Sequence, residues 1–122
     1  MATARTVDFV MYGRYSAFAD TEDMTTIPVA ASKFSWVDLQ VWRGGMADAS
    51  WTFTFKLQES MDREVWDTLV EAPVGANEEV RISGSLTKAW LRALVVLGAP
   101  TGFPMVLGWA VGQLVYRKQP VA

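Results

Sequence analysis

The chain contains no cysteine and no histidine in its 122 residues. Without thiols there is no disulfide framework and no thiolate nucleophile. Without imidazoles, Ser–His and Cys–His nucleophile pairs are impossible, and so are metal sites built on His or Cys. Lys and Arg number 11 against 13 Asp and Glu, a net charge of −2, so there is no basic footprint for nucleic acid. Asn occurs once, at Asn77, which weighs against a sugar-binding groove rich in that amide. Long apolar runs are also missing. The strongest membrane candidate, Phe103 to Tyr116, has 14 residues; a spanning helix needs roughly 20. Gly108 and Gly112 within it have the spacing of a membrane helix dimer, but the segment is too short to use it. The first residues, Met1 to Tyr15, hold no apolar stretch long enough for a signal peptide. Neither Gly44-Gly45 nor Gly98 to Gly102 resembles a phosphate loop.

What is present is apolar and aromatic. Hydrophobic residues make up 51% of the chain and six are Trp. A chain of this length is expected to form one domain, residues 1–122, with a core that needs no staples. Six Trp are more than a small monomer comfortably hides, which points to a partner subunit.

Hydrophobic alternation assigns the elements. In Ser50 to Leu69, the residues Trp51, Phe53, Phe55 and Leu57 share one face and Thr52, Thr54, Lys56 and Gln58 the other. That is the period of a half-buried strand. A polar link, Glu59 to Glu64, leads to a second run, Val65 to Leu69, so the stretch reads as a hairpin. Val7 to Tyr12 is a strand broken by Gly13-Arg14, with Tyr15 to Ala19 an adjacent extended piece. Thr21 to Asp23 is a loop, and Met24 to Ala30 is extended at an edge because of Pro28. Phe34 to Arg43 alternates, with Val37, Leu39 and Val41 on one face and Trp36, Asp38, Gln40 and Trp42 on the other. Gly44-Gly45 and Ala47 to Ala49 turn the chain. Glu71 to Asn77 is a loop, Glu79 to Ser83 a strand, Ala89 to Leu97 a central strand apolar on both faces, and Met105 to Tyr116 the last strand. Leu86 to Leu97 also fits helical spacing, but its Leu-Val-Val-Leu run and the following Gly-Ala-Pro favour strand. The predicted fold is all-β: an antiparallel β-sandwich, jelly-roll-like, of about eight strands.

Two groups of residues could carry chemistry. Glu59, Asp62 and Glu64, with Glu22-Asp23, could serve as paired carboxylates or calcium ligands. The first group lies in a tight turn beside Arg63, and no calcium loop with a central Gly is present, so solvated turn residues are the simpler reading. Trp51, Trp66 and Trp90 fall in core-facing patterns. Trp36 and Trp42 lie opposite Val37, Leu39 and Val41. They could stack sugar rings, anchor a protein interface, or belong to a strand buried on both faces.

Leu57-Gln58-Glu59-Ser60-Met61-Asp62-Arg63-Glu64-Val65-Trp66-Asp67-Thr68-Leu69 resembles a hairpin of small β-sandwich virion proteins of tailed bacteriophages, with the pattern Leu-Gln-x-Ser-x-Asp-Gly-x-x-Trp-x-x-Leu. Trp90-Leu91-Arg92, followed by a Val-rich strand and Gly98-Ala99-Pro100, is similar to a later part of the same proteins. The hairpin also resembles those of discoidin-like and other sugar-binding sandwiches. Arg63 stands where Gly is usual, at a position where Gly would permit positive φ.

The first resemblance implies a non-catalytic decoration or cement protein on the outside of a capsid, assembled in the host cytoplasm. Its partners would be the major capsid protein and itself, as a trimer or dimer. No cofactor, metal, nucleic acid or membrane enters this expectation. The candidate interface residues are Trp36, Trp42, Met11, Tyr12 and Tyr15. The competing expectation is a carbohydrate-binding β-sandwich module; an enzyme is the least favoured.

Overall fold

A computed structural model of the chain describes residues 5–19, 24–44, 52–75, 77–98 and 105–117, with side chains 14–19 and 105–107 left out. The expected loop at 21–23, the turns at 47–49 and 100–102, and Trp51 lie outside the described residues.

The strands run β1 Thr6–Ala19, β2 Met24–Thr25, β3 Val29–Ala30, β4 Phe34–Arg43, β5 Thr52–Ser60, β6 Asp67–Pro73, β7 Glu78–Ser85, β8 Trp90–Gly98 and β9 Met105–Tyr116. They form two antiparallel sheets. The front sheet has the order β1-β9-β4-β7; the back sheet has the order β2-β8-β5-β6, with β3 also paired to β8. The protein is an antiparallel β-sandwich.

One long ribbon generates this arrangement. The β5–β6 hairpin is its tip. Moving away from the tip, β4 pairs β7, then β2 and β3 pair β8, then β1 pairs β9. These successive pairs are laid alternately in the back and front sheets, and β4–β9 and β5–β8 stitch the turns of the ribbon together. With β2 and β3 counted as one interrupted strand, this is jelly-roll connectivity.

The core lies between the sheets. Val37, Leu39 and Val41 of β4, with Ala110 and Leu114 of β9, face Phe53, Phe55 and Leu57 of β5 and Leu91, Ala93 and Val95 of β8. The six residues expected inside from β4 and β5 are all 0–1% exposed. Period-2 alternation therefore identified the buried face correctly on both strands.

Several elements differ from the sequence reading. β1 is one strand through Gly13-Arg14, because register shifts between Val10, Tyr12 and Ser16 take up the extra residues as bulges. Met24 to Ala30 splits in two at Thr26 to Pro28, where Thr26 donates its N–H to the Ala93 carbonyl at 3.0 Å. β6 starts at Asp67 rather than Val65 and continues through Glu71 to Pro73, which was expected to be loop. Pro73 is tolerated because β6 is an edge strand. The turn beyond it uses Asn77 at φ 57, a conformation Asn adopts more readily than most residues. In β9, Gly112 is required by a close approach: an added Cβ would lie 1.9 Å from the Asp38 carbonyl oxygen.

Candidate functional site

Two surfaces carry concentrated chemistry: the ribbon tip with the outer face of the back sheet, and the outer face of the front sheet.

At the tip, Ser60 and Asp62 organise the turn. Ser60 Oγ accepts the N–H groups of Asp62 and Arg63 at 3.2 and 2.9 Å and donates to Asp62 Oδ1 at 3.0 Å. Asp62 Oδ1 accepts the N–H groups of Glu64 and Val65 at 2.9 and 3.0 Å. These backbone N–H groups, those of Val65 and Glu64 foremost, with Ser60 added, hold the Asp62 carboxyl below the usual carboxylate range. Arg63 takes φ 68, the left-handed conformation that Gly would adopt without strain. Two contacts hold it there: its carbonyl accepts the Trp66 Nε1–H at 3.1 Å, and its guanidinium lies 4.5 Å over the Trp90 ring.

Behind the turn, polar and aromatic groups satisfy one another. The Arg92 guanidinium lies 4.2 Å over Trp66 and donates to Gln58 Oε1 at 2.9 Å, and Gln58 Nε2 donates to Thr68 Oγ1 at 3.2 Å. Lys88 pairs with Asp67, and Lys56 with Glu71 at 3.7 Å. Trp66 and Trp90 were expected in the core. They are half-buried instead, each lying under an arginine brought from another part of the ribbon. Glu59 is also not a turn residue: it is 6% exposed, and its carboxylate accepts the Thr87 N–H and Oγ–H at 3.0 and 2.9 Å. Glu59 and Asp62 therefore serve different partners and do not converge. Glu22-Asp23 lies outside the described residues.

Two apolar side chains project from this pinned turn. Met61 is 64% exposed and Val65 is 67% exposed. Met61 falls within the polar link and carries no periodic signal, and Val65 reads from sequence as the start of the second strand, which the structure begins only at Asp67.

The front sheet's outer face is different. Strand register places Asp8, Gln113, Asp38 and Ser83 in one row across β1, β9, β4 and β7, and Val10, Val111, Gln40 and Arg81 in the next. A shallow cleft of about 410 Å³ lies over these rows, with Phe9 and Gly112 also lining it. Arg81 makes a bidentate pair with Asp38, with Nε–Oδ1 at 2.9 Å. The Arg81 hydrogen bond holds the Asp38 carboxyl below the usual range, and the same bond raises Arg81. Trp36 sits one pleat repeat beyond Asp38 and is 40% exposed. At the other end, Trp42 stacks on its cross-strand neighbour Trp109, with centroids 6.1 Å apart and planes 19° apart.

The five residues expected at an interface are thus scattered. Trp36 and Trp42 do share the outer face of β4, and that strand is not buried on both sides. Met11 is 8% exposed and lies in the core. Tyr12 turns inward toward Phe55, with ring centroids 6.3 Å apart, and burial raises its phenol pKa. Both follow from the bulge: Met11 and Tyr12 together oppose the single inward residue Ala110, so neither reaches the outer surface. The Tyr15 side chain lies outside the described residues. Arg43 was read only as a strand end, yet it is 2% exposed and donates to the Val74 carbonyl at 3.2 Å.

No protein-family model matches the chain, and no curated protein matches it in sequence. Solved structures do match in fold. The chain is similar to the PBSX exported protein XepA, with 19% identity and TM-score 0.66 over 95% of this chain. It is similar to a chain in the structure of infectious bursal disease virus, Gx strain, with 6% identity and TM-score 0.65 over 94% of this chain. It spans 39% and 33% of the length of those two chains. The SPBc2 prophage-derived protein YomS aligns over 92% of this chain and 97% of its own, with 12% identity and TM-score 0.46. At these identities the likeness to the first two is one of fold.

Proposed function

We propose that this chain is a non-catalytic structural protein of a phage virion, decorating or cementing the outside of the capsid after assembly in the host cytoplasm. It acts by adhesion, as a homotrimer or homodimer that repeats one contact on the major capsid protein. The observation that carries this reading is the ribbon tip: Met61 and Val65 stand exposed on a turn fixed by Ser60 and Asp62. Apolar groups mark a partner surface when they cluster; Met61 and Val65 project from one five-residue turn, and a contact already held in one conformation loses little entropy on docking. The tip lies within the stretch that resembles phage virion hairpins, and the fold neighbours are phage-related and viral, which supports the same reading. Several weak contacts on a repetitive shell would add as avidity.

The docking contact proposed here differs from the one read from sequence. It moves from Trp36 and Trp42 to Met61 and Val65, because Met11 and Tyr12 are interior and Trp42 already packs on Trp109. The test is co-sedimentation with bare capsids. Wild type is expected in the pellet, and the Met61→Ser, Val65→Ser double variant in the supernatant with an unchanged far-UV spectrum. A double variant that pellets like wild type would refute the tip as the docking element.

A further inference from the structure

From the cleft on the front sheet, we infer that this face binds a short oligosaccharide without acidic groups, along β4 between Trp36 and Trp42. Three observations combine. First, the polar side chains in the cleft are available. Asp8, Gln40 and Gln113 line it, and among the described residues none of their side chains has a hydrogen-bond or ion-pair partner. The back sheet is the contrast, since Gln58, Thr68 and Arg92 there are engaged with one another. A carboxylate and two amides offer both donors and acceptors, which is what a run of sugar hydroxyls requires.

Second, aromatic rings bracket the polar rows. Trp36 is 40% exposed one pleat repeat from Asp38, and Trp42 with Trp109 closes the other end one repeat from Gln40. An indole offers a flat apolar face for the C–H side of a pyranose while neighbouring polar groups take its hydroxyls. The six-residue separation corresponds to about 20 Å along a strand, enough for several linked sugars rather than one. Val10 and Val111 form an apolar patch in the floor between the two ends, which suits a ligand with C–H as well as O–H surfaces.

Third, the charge selects against acidic sugars. Asp38 is matched by Arg81, and among the described residues Asp8 has no ion-pair partner. The charged side chains lining the cleft, Asp8, Asp38 and Arg81, leave one formal negative charge, which repels uronate, sialate and phosphate groups. Unmodified and N-acetylated sugars meet no such penalty.

This inference does not depend on capsid docking, because the cleft and the ribbon tip lie on different sheets. The experiment is titration of isotope-labelled protein with cellotetraose, maltotetraose and chitotetraose, following the indole Nε1–H resonances, with tetragalacturonate as the acidic control. Saturable shifts of the Trp36 indole are expected with at least one of the three, and none with tetragalacturonate. Trp36→Ala and Gln113→Ala should each weaken that binding about tenfold, while the Met61→Ser, Val65→Ser variant should bind as wild type does. The inference is overturned if none of the three uncharged tetrasaccharides moves the Trp36 indole. It is also overturned if binding is unchanged in Trp36→Ala and Gln113→Ala, or if tetragalacturonate binds as tightly as the best of the others.

Discussion

The outer faces of the two sheets are built from similar residues and use them in opposite ways. On the back sheet, Gln58, Thr68, Arg92 and Trp66 form one connected set, Arg63 covers Trp90, and Lys88 pairs with Asp67. On the front sheet, one bidentate pair, Arg81 with Asp38, sits beside Asp8, Gln40 and Gln113, whose side chains have no hydrogen-bond or ion-pair partner among the described residues. The difference teaches what each face can do. Groups that satisfy one another fix a shape, and here they fix the ribbon tip, so the back sheet can present a preformed apolar contact. Groups left open can be completed by a ligand. On the two proposals, the same jelly roll would present its tip for adhesion and its front face to a ligand.

Both faces stand on the common core, so the largest expected effect removes the distinction altogether. Phe55 is fully buried between the sheets. Phe55→Ala should cost about 3–5 kcal/mol, measured by urea unfolding, and both surfaces should lose their binding together. A loss below about 1 kcal/mol would mean that the sheets do not depend on this ring.

A smaller effect isolates the tip. Arg63 holds φ 68 as a non-glycine residue. Arg63→Ala keeps the strained conformation and loses the contact with Trp90, whereas Arg63→Gly loses the contact and relieves the strain. The glycine variant should therefore be more stable than the alanine variant by about 1 kcal/mol, and close to wild type. Equal stabilities of the two variants would show that the turn relaxes away from positive φ.

The smallest effect compares the two depressed carboxyls. Asp62 and Asp38 both titrate below the ordinary carboxylate value when folded. A lowered folded pKa means stability that is fully present above the unfolded value, about 3.9, and is lost as pH falls through the lower folded value. Asp62→Ala should flatten the acid limb of a stability–pH profile more than Asp38→Ala, because Asp62 is held by several hydrogen bonds within the turn and Asp38 by one exposed guanidinium. The reverse order would mean that the Arg81 pair matters more than the turn.

Much of this organisation was legible in the residues. The bounds of β4 and β9 follow from alternation and flanking breakers, and β8 reads as strand from its Val-rich run despite helical spacing. What alternation cannot convey is which sheet a strand joins. β4 and β5 look like neighbours, yet they lie in different sheets, and this decides what each outward side chain meets. Trp66 and Trp90 were placed in the core because their run is apolar; their arginine partners arrive from residues 26 and 27 positions away in sequence. Glu59 was read as a turn residue because its partner, Thr87, is 28 positions away. Met11 and Tyr12 were read as surface contacts because one inserted residue reverses the facing of a strand, and a bulge leaves no mark in composition.

The central claim is that docking uses the ribbon tip and leaves the front face open. Hydroxyl-radical footprinting of the chain, free and bound to capsids, reads both side chains in one experiment. The account predicts that oxidation of Met61 falls on binding while that of Trp36 stays at its free value. Protection of Trp36 with Met61 as reactive as in the free protein would contradict it.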